Sequence, residues 1–158
     1  IIIKNEYDFD IHKHKIGLEL MMQPIIGTDD EEYTVSAFFD KSSTLIDYLP
    51  LKRRLSTNGF TQEAQVVDFD FEKTLSDLAK VFKPIGPTNF QFRLDGKVIK
   101  LLEINPRISS ATSIRASLGY NESIMSVDYF LDSQIPQKID KSKIINKRAI
   151  RYMEDYIF

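Results

Sequence analysis

The sequence contains no cysteine, only two histidines, and a net charge of just −2 at pH 7. Without cysteine the chain forms neither disulfides nor thiolate metal sites, which is compatible with a reducing cytosol, and we expect a cytoplasmic protein. Because acids and bases are interspersed, no basic patch indicates nucleic acid or a membrane surface as a partner. No apolar run approaches the length that spans a bilayer, and no signal peptide is visible.

The 158 residues suit one domain, which at this size buries roughly 68–70% of the unfolded chain's surface. Residues 1–4 form a β-rich run that starts with isoleucine instead of methionine, and residues 5–15 are polar and aperiodic. We therefore expect a piece of a longer chain. Residues 1–15 are predicted to be a strand remnant and an irregular segment, and residues 16–158 the main folded unit.

Hydrophobic periodicity predicts the α+β class, with an antiparallel sheet and helices packed on one side of it. Residues 71–82 repeat apolar side chains at helical spacing, with Asp70 as the N-cap and Pro84 as the stop. Two further helices are predicted, one ending before Gly119 and one capped by Asn121. The runs with strand character are 16–23, 32–39, 44–49, 64–69, the two arms of 89–105, and 148–152.

The most informative stretch is 89–107, where polar and aromatic residues alternate, turn, and return through an apolar run to Glu-Ile-Asn-Pro-Arg. Alternation around Asp95-Gly96 predicts a β-hairpin. A two-residue turn there would put Gln91 and Glu103 on opposite faces, whereas an odd-length connection puts them together. We therefore predict a three-residue connection, a type I turn with a G1 bulge, and Gly96 in the left-handed conformation.

The open end of this hairpin concentrates polar groups that suit metal and phosphate chemistry. Gln91, Glu103 and Asn105 provide one carboxylate and two neutral carbonyl oxygens, which are ligands that Mg²⁺ accepts beside a polyphosphate. Arg107 follows the rigid Pro106 and can face a phosphate oxygen with its planar guanidinium. The set predicts a site for nucleotide chemistry.

Two other groups leave alternatives open. The run Lys52-Arg53-Arg54 follows a proline and is predicted to be a loop, either a solvated charge run or an anion-facing one. The pair His12 and His14 could share one face of a strand and bind a metal. With no third ligand in sight, we favour solvated loop histidines.

The hairpin residues resemble the ATP-grasp superfamily, in particular the large subunit of carbamoyl phosphate synthetase and its carboxylate–amine ligase relatives. Gln91 and the sequence at 103–107 are similar to the metal-binding end of that family's site. The similarity runs from about residue 18 to the end and also includes 22–27, 32–35, 109–112, 119–122 and 151–154. It implies a C-terminal ATP-grasp subdomain for residues 16–158, with residues 1–15 from the preceding subdomain.

The resemblance implies that Gln91, Glu103 and Asn105 hold Mg²⁺, with Mn²⁺ as an alternative, and that Arg107 contacts phosphates. It also places Arg53 or Arg54, with Lys52, toward the acceptor substrate and the γ-phosphate. The further ATP-binding positions that it implies are the backbone of Gln23, Pro24 and Ile25 for adenine, Glu32 or Glu31 for the ribose, and Lys4 for phosphate.

The reaction implied by the resemblance is ATP-dependent ligation, in which a small-molecule carboxylate becomes an acyl phosphate that an amine or similar nucleophile captures. One departure is that residues 4–23 contain a single glycine, so the family's glycine-rich phosphate loop is missing. We therefore expect the N-terminal subdomains of the same chain to complete the site, and this fragment alone to be inactive. The alternatives are a nucleotide-binding module without ligase activity and a purely structural domain.

Overall fold

The computed structural model describes residues 1–152 and 154–158, without the side chain of Asp29. The strands are β1 (Glu32–Phe39), β2 (Leu45–Leu55), β3 (Thr61–Val66), β4 (Gly86–Asp95), β5 (Val98–Asn105) and β6 (Arg148–Ile150). The helices are α1 (Glu6–His12), α2 (Glu72–Phe82), α3 (Thr112–Ser117) and α4 (Glu122–Phe130). One antiparallel sheet has the strand order β5-β4-β1-β2-β3-β6. The predicted α+β class with an antiparallel sheet is confirmed.

Strand β1 is the centre of the fold, because all eight of its residues are buried. Side chains alternate along a strand, so β1 contributes to two separate cores. Val35, Ala37 and Phe39 face α2, which contributes Leu75 and Ala79. On the opposite face, Phe38 packs with Ile114 of α3, Met125 of α4 and residues of β2 and β3. The helices thus lie on both faces of the sheet, whereas the sequence predicted them on one side.

The N-terminal segment differs from the prediction. Residues 1–4 form no strand, residues 6–12 are helical, and 16–23 contain only an isolated bridge between Ile16 and Leu20, so the predicted strands and loop were wrong. The missed signal is a helix start: Asn5 accepts a hydrogen bond from the backbone N–H of Asp8 at 2.9 Å, as an N-cap does. No helix in the described part of the chain is long and apolar enough to cross a membrane.

Strand β2 runs on through Pro50, so the prediction of a loop at residues 52–54 was wrong. Proline lacks the N–H that a central strand normally donates. The carbonyl of Pro50 points toward the β3 side, where it accepts from Val67 N at 3.5 Å. The β2–β3 pairing ends at Leu51 and Val66. The missing donor of Pro50 therefore lies beyond the last residue of β3, where the sheet does not need it.

Most of the remaining predicted elements are confirmed. In α2 the side chain of Asp70 accepts from Glu72 N at 2.7 Å, although Phe71 is the first flanking residue. Asn121 caps α4 through Ser123 N and Ile124 N. The terminal strand is β6, shorter than predicted. Met153, part of the segment 151–154 that carried the resemblance, lies outside the described residues.

The β4–β5 hairpin brings Gln91 and Glu103 together by a different route from the one predicted. Asp95 pairs with Val98, so the turn has two residues, Gly96 and Lys97, and the predicted three-residue connection was wrong. The left-handed conformation of Gly96 is confirmed by its φ of 61°. A register shift between Gln91 and Phe92 leaves Leu102 unpaired and sets Gln91 opposite Glu103. This β-bulge does the work that the odd turn was expected to do.

Candidate active site

One face of the sheet carries a continuous chain of hydrogen-bonded polar side chains. Arg53 Nε and Nη2 donate to Glu32 Oε1 at 3.0 and 2.6 Å, and Arg53 Nη2 donates to Gln91 Oε1 at 2.9 Å. Gln91 Nε2 then donates to Glu103 Oε2 at 2.8 Å. Arg93 Nη2 completes the chain by donating to Glu32 Oε2 at 3.2 Å. We call these five residues the polar chain.

Strand register explains why these side chains meet. Glu32 on β1 is opposite both Arg53 on β2 and Arg93 on β4, and Gln91 is opposite Glu103 on β5. The side chains of Glu32 and Arg53 are each only 9% exposed. A buried carboxylate costs free energy unless charged donors compensate it, and here a guanidinium serves each of its oxygens.

Asn105 and Arg107 lie just beyond the polar chain, where β5 ends. Arg107 Nη2 donates to Asn105 Oδ1 at 3.4 Å, and Asn105 is opposite Asn89 on β4. Thr34 donates to Asn89 Oδ1 at 2.7 Å. The Nδ2 atoms of both asparagines are buried and have no hydrogen-bond partner among the described residues. Unpartnered buried donors are rare and suggest an acceptor from outside the chain.

A cavity of about 910 Å³ adjoins the polar chain at Arg93. Its walls are residues 1–3, the stretch 20–26, and Leu102, with His12 and Ile16. Arg93 Nη1 donates to the carbonyl of Ile26 at 3.2 Å, which ties the stretch to the sheet. The volume and mostly apolar walls suit a small molecule with a flat apolar ring. The predicted adenine-binding residues Gln23, Pro24 and Ile25 all line this cavity.

The predicted site residues fall into two groups. The structure brings together Arg53, Glu32, Gln91 and Glu103, with Asn105 and Arg107 adjoining. It does not bring in Arg54, because strand alternation turns Arg54 to the opposite face of β2 and into solvent.

Lys4 is exposed and does not line the cavity, although residues 1–3 do. His12 ends α1 and His14 lies in the following 3₁₀ turn, and no group of three His, Asp or Glu side chains in the described residues could hold a metal ion. Arg93 is the member of the polar chain that the sequence analysis missed. Its position two residues after Gln91, and so on the same strand face, was the available signal.

The model of a protein family described as "ATP-grasp in the biosynthetic pathway with Ter operon" matches residues 19–155. The chain belongs to this ATP-grasp family. No curated protein matches the sequence significantly. The family match includes every residue of the polar chain and the whole β4–β5 hairpin, so the predicted membership in the ATP-grasp superfamily is confirmed.

Solved structures show the same fold at low sequence identity. The chain is similar to N5-carboxyaminoimidazole synthetase from Staphylococcus aureus complexed with ADP, with 13% identity and a TM-score of 0.56 over 72% of this chain and 32% of that one. It is also similar to the phosphoribosylaminoimidazole carboxylase ATPase subunit from Aquifex aeolicus, with 13% identity and a TM-score of 0.47 over 55% and 29%. For biotin carboxylase from Campylobacter jejuni in a β,γ-ATP complex the values are 13%, 0.47, 65% and 26%. The chain thus spans about a third or less of these proteins.

The donor set of this ATP-grasp chain fits a hard divalent cation. Glu103 is exposed and accepts from Gln91 through Oε2 only, among the described residues, so Oε1 is open to a cation. Asn105 adds a neutral amide two residues further along the same strand. One carboxylate with neutral oxygens is a set with which Mg²⁺ is commonly held beside phosphates. The oxygen of Gln91, in contrast, is engaged by Arg53.

Gly27 allows the ATP-grasp chain to bring Ile26 against Arg93. It has a φ of 60°, and a Cβ at this position would lie 2.7 Å from the carbonyl oxygen of Leu94. We expect Gly27→Ala to lower the free energy of unfolding by at least ~1–2 kcal/mol, the cost of left-handed backbone alone, with the clash added. Urea unfolding followed by circular dichroism measures it.

Gly59→Ala is the matched control for this prediction. Gly59 also has a positive φ, 79°, but a Cβ there would meet nothing within 4 Å. Gly27→Ala should therefore be the more destabilising of the two. Equal losses of stability would show that the contact between residue 27 and β4 does not hold the cavity wall in place.

Proposed function

We propose that the chain is the C-terminal ATP-grasp subdomain of a cytoplasmic, ATP-dependent and Mg²⁺-dependent ligase. The reaction activates a small-molecule carboxylate as an acyl phosphate, which an amine or similar nucleophile then captures. Residues 16–158 form this subdomain, and residues 1–15 belong to the preceding one. The N-terminal subdomains of the same protein supply the rest of the ATP site.

The observation that carries this proposal is the position of Glu103. It stands at the exposed end of the polar chain, on the face that leads to the cavity along Gln91, Arg53, Glu32 and Arg93. A carboxylate at the boundary between an apolar cavity and a row of arginines suits a nucleotide whose base enters the cavity and whose phosphates reach Glu103. The stretch 23–25 would meet the adenine edge through its backbone.

Each side chain then has a defined part in the reaction. Glu103 and Asn105 would hold Mg²⁺, which when bound neutralises phosphate charge, and Mn²⁺ is the alternative ion. Arg107 would contact phosphate oxygens, and the Nδ2 donors of Asn89 and Asn105 offer hydrogen bonds that such oxygens accept. Phosphoryl transfer depends mainly on positioning and charge neutralisation, so no side-chain nucleophile is required.

The chemical steps balance without a further reagent. A carboxylate oxygen of the substrate attacks the γ-phosphorus of ATP, and the bond from that phosphorus to the bridging oxygen of ADP breaks. The amine then attacks the acyl carbon and inorganic phosphate leaves. Both of Glu32's oxygens are hydrogen-bonded to arginines. Glu32 therefore supports Arg53 and Arg93, and ribose binding is left to Glu31 or to a rearranged Glu32.

Phosphate release by the full-length protein tests this proposal. With Mg-ATP, we expect release only when a suitable carboxylate and amine are both supplied from a panel of pairs. ADP formation without ligation, at a rate that no pair changes, would contradict the ligase assignment and favour a nucleotide-binding module. The isolated fragment is expected to release no phosphate, because part of the nucleotide's surroundings comes from the N-terminal subdomains.

A further inference from the structure

The orientation of the Gln91 amide follows from the chemistry of its two neighbours. The guanidinium of Arg53 has only donors, and an ionised Glu103 has only acceptors. A single orientation satisfies both: Oε1 toward Arg53 at 2.9 Å and Nε2 toward Glu103 at 2.8 Å. Turning the amide over would break both hydrogen bonds and set like partial charges against each other. Gln91 is therefore held with its oxygen away from Glu103.

Arg53 is itself held firmly. Its Nε and Nη2 both donate to Glu32 Oε1, and its side chain is 9% exposed. Arg93 occupies the other oxygen of Glu32. The strand pairs Glu32–Arg53 and Glu32–Arg93 fix these positions from both sides. The guanidinium is thus a fixed donor, and the Gln91 amide is the part of the polar chain that can turn.

We propose that Arg53 controls the metal affinity of this site by competing with the metal ion for the oxygen of Gln91. The hydrogen bond from Arg53 to Gln91 Oε1 has to break before Gln91 can offer that oxygen to an ion at Glu103, and the bond from Gln91 to Glu103 breaks with it. Arg53 is a positioning residue in this account, because it acts on the ion through Gln91. The inference rests on the proposed metal site at Glu103.

Arg53→Lys in the full-length protein tests the competition. Lysine keeps the positive charge and can still pair with Glu32, but it lacks the planar fork that reaches Glu32 and Gln91 together. We expect Mn²⁺, added alone without nucleotide, to bind about tenfold more tightly to this variant, since a hydrogen bond that opposed binding is gone. Mn²⁺ binding is measured by electron paramagnetic resonance of the free ion, and circular dichroism checks the fold.

Two further variants separate competition from general effects. Arg54→Lys changes the neighbouring residue, which faces the opposite side of β2, and should leave Mn²⁺ affinity unchanged. In a Gln91→Leu background, Arg53→Lys should also have no effect, because the contested oxygen is absent. A tenfold gain that persists in that background would overturn the proposal, as would unchanged or weaker Mn²⁺ binding by Arg53→Lys.

A measurement on the unmodified protein covers the case in which Arg53→Lys does not fold. Titration with Mg²⁺ should shift the nitrogen resonances of the Gln91 amide and of Arg53 Nε together, because both groups change partners. A shift of Gln91 without one of Arg53 would overturn the competition. If the unmodified protein binds neither Mg²⁺ nor Mn²⁺, the metal site itself is wrong and the proposed function fails with it.

Discussion

Replacing Glu122 by leucine is expected to lower the free energy of unfolding by about 3–5 kcal/mol, the usual cost of leaving a buried charge without its partner. Arg115 and Glu122 are both 0% exposed, and Arg115 Nε donates to Glu122 Oε1 at 2.6 Å. Ser36 and Thr112 also donate to Glu122, at 2.9 and 2.8 Å. Such a loss is a large part of the 5–15 kcal/mol that typically holds a domain together.

A double variant serves as the control. Combining Glu122→Leu with Arg115→Met removes both charges, and replacing a whole buried ion pair by apolar groups is often nearly neutral. We expect the double variant to regain most of the stability that the single variant loses, in urea unfolding followed by circular dichroism. A single variant within about 1 kcal/mol of the unmodified chain would show that the pair is not buried as described.

The effect of Glu122 should extend to the site. Arg115 Nη2 donates to Ser109 at 2.8 Å, so the ion pair anchors both ends of the connection from β5 to α3, which carries Arg107. Ser109 and Thr112 are thereby held from below by one network. Partial loss of phosphate binding in variants that remain folded would fit this anchoring.

Replacing Glu103 by alanine in the full-length protein is expected to lower turnover at least ~10²-fold, the scale seen when one preorganised charge-stabilising group is removed. Glu103 is the one carboxylate among the proposed metal ligands, so its loss leaves neutral oxygens that bind Mg²⁺ poorly. Steady-state phosphate release at saturating Mg-ATP measures the effect, which should lie in the rate and not in folding, because Glu103 is exposed.

Asp95→Ala is the matched control for Glu103→Ala. Asp95 is an exposed carboxylate at the turn of the same hairpin, paired with Val98 and remote from Asn105. It should leave turnover within about twofold of the unmodified enzyme, as surface changes away from a site usually do. Turnover by Glu103→Ala that matches the control would remove Glu103 from the reaction.

The sequence predicted the central hairpin and the polar ends of its strands because local chemistry determines them. Alternation sets the strand faces, and Asp-Gly marks the turn. The turn length could not be predicted in the same way, since the same parity results from a three-residue turn or from a bulge further along. The structure places that bulge at Leu102, where no glycine or proline marks it.

Tertiary contacts overrode local signals elsewhere. Pro50 ends a strand by every local rule, yet β2 continues because its missing donor lies beyond the end of β3. The N-terminal helix was missed because its apolar side chains are few, and only the Asn5 cap indicates it. Arg93 escaped notice because a lone arginine on a strand has no meaning until Glu32 is placed opposite it.

Mg²⁺-dependent binding of ATP to the full-length protein, measured by isothermal titration calorimetry, tests the central claim most directly. We predict saturable binding in the presence of Mg²⁺ that is lost with a chelator and in the Glu103→Ala variant, and kept in Asp95→Ala. ATP binding of equal affinity with and without Mg²⁺, or no binding at all, would contradict the assignment of Glu103 and its neighbours to a nucleotide–metal site.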